Sequence, residues 1–115
     1  MSSAPQGTIG RQTAGSVFVD PNSRPWEETD APGFLVKSIF KDAATGETTS
    51  LMKIEAGAFF EAHAHDQLEE IFVLEGDFYD DACSYGPGQY CQRAIGASHT
   101  AGSKNGCTVL LVYRK

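Results

Sequence analysis

The sequence predicts an all-β protein that folds as a sandwich or a barrel. Short segments of about 4 to 8 residues, rich in aromatic and aliphatic side chains, recur at regular spacing between turn signals. No segment repeats its apolar residues with the helical period of about 3.6 residues. Glycine, proline, asparagine and aspartate separate the segments, as they do where strands reverse direction. Together these observations favour a sandwich or barrel over a helical or mixed fold.

The predicted elements follow one another along the chain. Residues 1–15 are rich in Ser, Gly, Gln and Thr and lack apolar periodicity, which predicts a mobile N-terminal arm ahead of a domain at 16–115. Residues 17–19 can form a short strand, which the two prolines of DPNSRP end. The later predicted strands are FLVKSIF, TTSLMKIE, two strands within GAFFEAHAHDQLEEIFVLEG, DFY, ACSY, QYCQRA and CTVLLVY.

Composition limits the function classes. A chain of 115 residues suits one domain with a core of its own, and 41% hydrophobic with 21% charged residues is typical of a globular protein. The formal net charge of -6 disfavours nucleic-acid binding, which needs clustered Lys and Arg. The sequence therefore predicts no nucleic-acid partner.

Compartment is predicted from the terminus and the cysteines. The first residues lack the basic and apolar regions of a signal peptide, and no segment approaches the roughly 20 apolar residues of a membrane span. Cys83, Cys91 and Cys107 are odd in number and form no C-x-x-C pair, which favours three reduced thiols. We expect a cytoplasmic protein with no membrane partner.

The stretch 57–76 contains most of the residues that could carry chemistry. His63 and His65 are separated by one residue, and Glu69 follows four residues after the second. Alternate side chains of a strand leave by the same face, so both imidazoles would lie on one side. This is a geometry suited to binding a metal ion.

Strand alternation also predicts which face is internal. The first strand would place Phe59, Glu61, His63 and His65 on one face and Phe60, Ala62 and Ala64 on the other. In the next strand, Glu69 would share its face with Ile71 and Val73, which implies that this face is the interior. A buried carboxylate needs a partner, and a cation would supply one.

At these residues the sequence resembles the cupin family. Gly57, His63, His65, Glu69 and Gly76 satisfy every fixed position of the first cupin motif. In the second motif, the positions that match at the right spacing are Gly88, Gly96 and His99. The positions that depart are Ala94, where the family has Pro, and Ser103, where it has Asn. Neither departure falls on a ligand position.

The resemblance covers residues 26–113 and is strongest to the subgroup of the anti-sigma factor ChrR and of acetylacetone and dihydroxyacetophenone dioxygenases. It implies a single-domain, RmlC-like antiparallel jelly-roll β-barrel that holds one divalent ion. The implied ligands are His63, His65, Glu69 and His99, and these include all three histidines of the chain. A mixed nitrogen and oxygen set accepts Fe, Zn, Ni, Mn, Co or Cu, so it does not identify the metal.

Two functions follow from the resemblance. The first is a metal-dependent dioxygenase that acts on a small chelating carbonyl compound, a β-diketone or a hydroxyaryl ketone. Candidate substrate contacts, which could equally be core residues, are Phe59, Ile71, Val73, Tyr90 and Tyr113. The alternative is a non-catalytic sensor or regulatory module of the ChrR type. Sugar isomerase chemistry ranks last, because no histidine is left outside the ligand set.

An outer apolar face predicts self-association. Strand alternation places Phe60, Phe72 and Leu74 on the side opposite the ligands. An exposed apolar sheet face of this kind is typical of an interface. We therefore expect a homodimer, with residues 17–19 as a possible additional edge strand.

Overall fold

The computed structural model describes residues 11–115, which form twelve β-strands and one 3₁₀ turn. The strands are β1 Arg11–Thr13, β2 Ser16–Phe18, β3 Glu27–Glu28, β4 Phe34–Lys41, β5 Thr48–Ile54, β6 Phe59–Ala64, β7 Leu68–Gly76, β8 Phe78–Tyr79, β9 Ser84–Tyr85, β10 Tyr90–Arg93, β11 Ser98–Gly102 and β12 Cys107–Arg114; the 3₁₀ turn is Pro21–Ser23. Residues 1–10, most of the predicted arm, lie outside the described part. Within the described range no helix has the length and apolarity needed to cross a membrane.

Two antiparallel sheets form the body of the fold. The larger has the strand order β10-β7-β12-β5-β4-β3 and the smaller has the order β6-β11-β8-β9, while β1 and β2 pair as a separate hairpin. Sequence neighbours are not always sheet neighbours, since β7 lies between β10 and β12. The predicted all-β jelly-roll architecture is confirmed.

The core lies between the larger and the smaller sheet. It forms because side chains along a strand alternate between the core and the outside. In β12, Cys107, Val109 and Leu111 are buried, whereas the residues between them are partly exposed. β12 pairs with β7 on one side and with β5 on the other, so its apolar face is central to the sheet. The buried apolar cluster consists of Phe34, Ile54, Ile71, Val73, Phe78, Cys107, Val109 and Leu111.

A β-bulge in β6 changes the predicted alternation. His63 pairs with His99 of β11, but the next pairs are Phe60 with Ala101 and Phe59 with Gly102. Three steps along β6 therefore match two steps along β11, which moves Phe60, rather than Phe59, to the face of His63. The prediction that Phe59 and Glu61 face inwards is wrong for this reason, as is the prediction that Phe60 faces outwards.

Gly76, at the end of β7, is required where two strands approach closely. Its φ is +80°, and a Cβ there would overlap the carbonyl oxygen of Gly106 and the Cα of Cys107. Gly57 has a similar φ of +83° but no atom within 4 Å of an added Cβ. Both positions favour glycine, but only Gly76 also lacks space.

We expect Gly76→Ala to lower the free energy of unfolding by about 2 kcal/mol more than Gly57→Ala does. Left-handed backbone strain affects both variants, whereas overpacking is added only at Gly76. Urea denaturation of the two variants measures the difference, and equal losses would show that backbone strain alone explains the glycine.

Candidate metal centre

A cavity of about 190 Å³ lies between the two sheets and is lined mainly by apolar side chains. Its apolar wall includes Phe34, Ile54, Ile71, Val109 and Leu111. The ionisable side chains on its wall are His63, His65, Glu69, Arg93, His99 and Tyr113. The fold thus collects all three histidines of the chain and one carboxylate around a single space.

The three histidines come from two paired strands. His63 and His99 are directly opposite each other in β6 and β11, and His65 follows His63 by two residues. The rings of His63 and His65 are 4.8 Å apart between centroids. The Nδ1 atom of His63 lies 2.9 Å from the carbonyl oxygen of Glu61. Because a carbonyl only accepts hydrogen bonds, this Nδ1 donates, and the Nε2 of a neutral ring keeps its lone pair.

Glu69 is buried and already has two protein partners. Its Oε1 lies 3.1 Å from Nε of Arg93, and its Oε2 accepts a 2.7 Å hydrogen bond from the hydroxyl of Tyr113. The same hydroxyl is 3.1 Å from Nε2 of His65. Burial, followed by the nearby Glu69 carboxylate, raises the pKa of Tyr113 well above its usual value, so this side chain is a neutral phenol. The carboxylate therefore does not depend on a metal ion for its charge partner.

Arg93 is a residue of the candidate site that the sequence did not predict. Its guanidinium bridges Glu69 and Asp80, with Nη1 3.0 Å from Oδ2 of Asp80, and the Arg93 and Asp80 side chains are 7% and 1% exposed. Arg93 pairs directly with Glu69 between β10 and β7. The sequence contained a signal for this position. Arg93 follows Cys91 by two residues in a predicted strand, so the two side chains share a face, and cysteine is usually buried. An inward-facing carboxylate on a neighbouring strand would then need a cation such as Arg93.

The predicted four ligands line one cavity, but their ligand atoms do not form one tight group. Among residues 11–115, the one group of three or more His, Cys, Asp or Glu with ligand atoms all within 4.8 Å of one another is Asp80, Asp81 and His99. Oε2 of Glu69 and Nε2 of His65 are 3.9 Å apart. Coordination at the predicted site would therefore require side-chain rotations.

Comparison with known proteins identifies the family. Residues 14–115 match the model of the ChrR Cupin-like domain. The chain belongs to this family. The resemblance that the two sequence motifs predicted is confirmed. No curated protein matches the sequence.

Solved structures support the same cupin fold. An RmlC-like cupin from Ralstonia eutropha is 20% identical with a TM-score of 0.74, and the match covers 83% of this chain and 66% of that one. An acetylacetone dioxygenase candidate from Methylibium petroleiphilum is 16% identical with a TM-score of 0.78, covering 91% and 81%. The complex of SigE with the anti-sigma ChrR from Rhodobacter sphaeroides is 23% identical with a TM-score of 0.66, and the match covers 77% of this chain and 49% of that one. The chain thus spans less than two thirds of the first and third proteins, and identities this low show the fold alone.

The donor set of this ChrR-like cupin fits a divalent ion. His63 keeps a lone pair on Nε2, as the hydrogen bond to Glu61 requires, and imidazole nitrogens suit Fe, Zn, Ni and Cu. The second oxygen of Glu69 is bonded only to a hydroxyl, which an ion can replace. Paired strands carry the histidines, so the backbone already holds them next to each other. The residues present are therefore suitable ligands.

The predicted substrate contacts divide into two groups. Ile71 and Tyr113 line the cavity. Phe59 does not, because the bulge turns it outwards, where it is 49% exposed and stacks on Tyr79. Val73 is buried in the core away from the cavity lining.

Tyr90 and Phe60 each lie on the side opposite to the one expected: Tyr90 is outside, and Phe60 lines the cavity. Tyr90 is 50% exposed and donates a 2.6 Å hydrogen bond to Glu70 on the outside of the larger sheet. Phe60, expected outside, lines the cavity and contacts the His63 ring edge to face at 4.7 Å. The contact places an aromatic side chain directly beside a candidate ligand.

Asp80→Asn should reduce stability in a pH-dependent way. Burial acts to raise the pKa of Asp80, but hydrogen bonds from the amides of Cys83 and Ala82 and from Arg93 outweigh it and hold the pKa below its usual value. A depressed folded-state pKa contributes stability above the unfolded-state value, and this is lost as pH falls through the folded-state value. We expect a deficit of about 2 kcal/mol at neutral pH that narrows below about pH 4. Urea denaturation across this range tests it; a deficit that stays constant to acid pH would contradict it.

Proposed function

We propose that this ChrR-like cupin is a metal-dependent dioxygenase that acts on a small chelating carbonyl compound, a β-diketone or a hydroxyaryl ketone. One observation carries the proposal: His63, His65, His99 and Glu69 all line a single cavity with mainly apolar walls. Such a cavity suits a compact apolar ligand with oxygen atoms at one end. The cupin fold of the candidate acetylacetone dioxygenase supports the same reading.

Cavity size favours a substrate with one ring or a short carbon chain. The cavity measures about 190 Å³. For comparison, an apolar cavity of roughly 150 Å³ in another protein binds benzene. A β-diketone or a substituted phenyl ketone is close to this size, whereas a long acyl chain is larger than the cavity.

Some residues of the cavity would bind the ion, and others would exclude water from the substrate. His63, His65, His99 and Glu69 would hold the ion, which when bound supplies Lewis-acid activation of an enolate and the redox chemistry. Arg93 keeps Glu69 oriented through its 3.1 Å contact. The neutral Tyr113 hydroxyl donates its one proton to Glu69, and it would become a donor at the polar end once an ion replaced it at Oε2. The buried side chains of Ile71 and Leu111 would exclude water from the apolar end.

Oxygen uptake tests the proposal. Protein purified without a metal-affinity tag and loaded with Fe(II) should consume oxygen with at least one compound in a panel of β-diketones and hydroxyacetophenones. Metal-free protein is one control, and Fe(II)-loaded His65→Ala is the other. If no panel member produces uptake above these controls, the dioxygenase proposal fails.

The second candidate is a non-catalytic sensor or regulatory module, and the family itself favours it. The matching model is that of the ChrR Cupin-like domain, and the complex of SigE with ChrR contains a domain of the same fold. Metal content after purification separates the two candidates. A stoichiometric, redox-inert ion without an exchangeable position favours the sensor, whereas exchangeable iron favours the enzyme.

Self-association and cellular location stay predictions. Phe72 and Leu74 are 39% and 45% exposed on the outside of the larger sheet, and we propose that they contribute to a homodimer. Phe60 does not belong to this face, since it lines the cavity. Sedimentation that shows only monomer at tens of micromolar protein would exclude the dimer.

All three cysteines are free, which fits the predicted cytoplasmic location.

A further inference from the structure

The turn between β8 and β9 contacts one candidate ligand, His99, directly and reaches a second, Glu69, through Arg93. Asp80 binds Arg93, which in turn holds Glu69. Asp81 lies beside His99, with its Oδ1 3.2 Å from Nδ1 of the ring. One short turn therefore supports ligands that come from two different sheets.

The contact between Asp81 and His99 determines which ring nitrogen is available. An ionised carboxylate only accepts hydrogen bonds, so Nδ1 of His99 is the donor and Nε2 of the neutral ring keeps its lone pair. The backbone N–H of Thr100 also lies 3.4 Å from Oδ1 of Asp81, which ties the carboxylate to the strand of His99. His63 reaches the same state through the carbonyl of Glu61.

The compact group Asp80, Asp81 and His99 is poorly suited to bind a metal ion itself. Oδ1 of Asp80 already accepts hydrogen bonds from the amides of Ala82 and Cys83, at 2.8 and 2.7 Å. Oδ2 of Asp80 accepts hydrogen bonds from the Arg93 guanidinium and from the Tyr85 hydroxyl. A cation bound to Oδ2 would have to share that oxygen with a guanidinium, and the two positive charges would repel each other. The proximity of the three residues is better explained as support for His99.

We propose that Asp81 is a positioning residue, which fixes the tautomer and orientation of His99 so that Nε2 is available to an ion in the cavity. This inference rests on the proposed function, because Asp81 can position His99 as a ligand only if an ion binds in the cavity. A carboxylate that accepts a hydrogen bond from a ligating histidine keeps the ring in one tautomer and makes it more basic. The role does not require Asp81 to touch the ion.

The tautomer can be read in the metal-free protein. Since the chain has only three histidines, long-range proton–nitrogen NMR spectra of their rings are simple to assign. We expect His99 in the wild type to carry its proton on Nδ1. In Asp81→Asn the side-chain amide can donate to Nδ1, so we expect a shift towards the Nε2–H tautomer. The Asp81 side chain is 52% exposed, so the variant should fold, and circular dichroism checks this.

Zinc affinity provides the second measurement. We expect Asp81→Asn and Asp81→Ala to bind Zn²⁺ about 10- to 100-fold more weakly than the wild type, with one ion per chain retained. Glu75→Gln is the matched control, because it removes the same charge from a different surface depression and should leave the affinity unchanged. Competition with a chromophoric chelator measures all four proteins.

Three outcomes would overturn the inference, and they are distinguishable. An unchanged His99 tautomer with unchanged affinity in both Asp81 variants removes the positioning role alone. Loss of the zinc ion in Asp81→Ala and Asp80→Asn, with binding retained in His65→Ala, means that the aspartates are ligands themselves. A wild-type protein that binds neither Zn²⁺ nor Fe(II) overturns the proposed function, and the positioning role with it.

Discussion

Replacing Arg93 with methionine should lower the free energy of unfolding by roughly 3–5 kcal/mol, because two buried carboxylates lose their cation at once. The Arg93 guanidinium lies 3.1 Å from Glu69 and 3.0 Å from Asp80, and its side chain is only 7% exposed. Methionine fills a similar volume but carries no charge. The variant thus isolates the loss of the ion pairs from the loss of packing, and urea denaturation at neutral pH measures the effect.

Arg114→Met is the matched control for this change. Arg114 pairs with Glu70 at 3.2 Å, a distance close to that of the Arg93 contact with Glu69, but its side chain is 56% exposed. An exposed ion pair contributes about 0–1 kcal/mol, so this variant should be nearly as stable as the wild type. If Arg93→Met were no more destabilised than Arg114→Met, the buried network would contribute little to folding.

The sequence was sufficient for the fold because the determining patterns are local. Alternation in β12 marks Val109 and Leu111 as core, and the spacing of the glycine and histidine motifs identifies the family. Gly76 shows the physical basis of one motif position, since only glycine fits beside the carbonyl of Gly106. Features of this kind depend on neighbouring residues and on the two-residue period of a strand.

The parts of the site that the sequence did not predict depend on pairing between distant strands. The bulge that exchanges Phe59 and Phe60 is set by the register of β6 on β11, which no local alternation encodes. Arg93 becomes the partner of Glu69 only because β10 pairs with β7 in one particular register. The carboxylate was expected to need a metal ion, yet the chain supplies a guanidinium.

Because Arg93 already neutralises Glu69, the buried carboxylate alone does not indicate a metal ion. His65→Ala tests directly whether the imidazole is a ligand. We expect this variant to bind Zn²⁺ more than about 100-fold more weakly than the wild type, since losing a direct ligand should exceed the 10- to 100-fold effect of an outer contact. Wild-type protein at a zinc concentration 100 times the Kd should gain about 2.7 kcal/mol of stability, and His65→Ala should lose most of this gain. Chelator competition and zinc-dependent thermal unfolding provide two independent readings.

Tyr113→Phe is the informative control, because its hydroxyl contacts the same two atoms that an ion would bind. It lies 3.1 Å from Nε2 of His65 and 2.7 Å from Oε2 of Glu69. If these atoms are ligands, the hydroxyl competes with the ion, and removing it should leave zinc affinity unchanged or increase it. If zinc affinity falls as far in Tyr113→Phe as in His65→Ala, the tyrosine oxygen itself belongs to the ligand set. Retained affinity in Tyr113→Phe together with its loss in His65→Ala would support the assignment of the imidazole as a ligand.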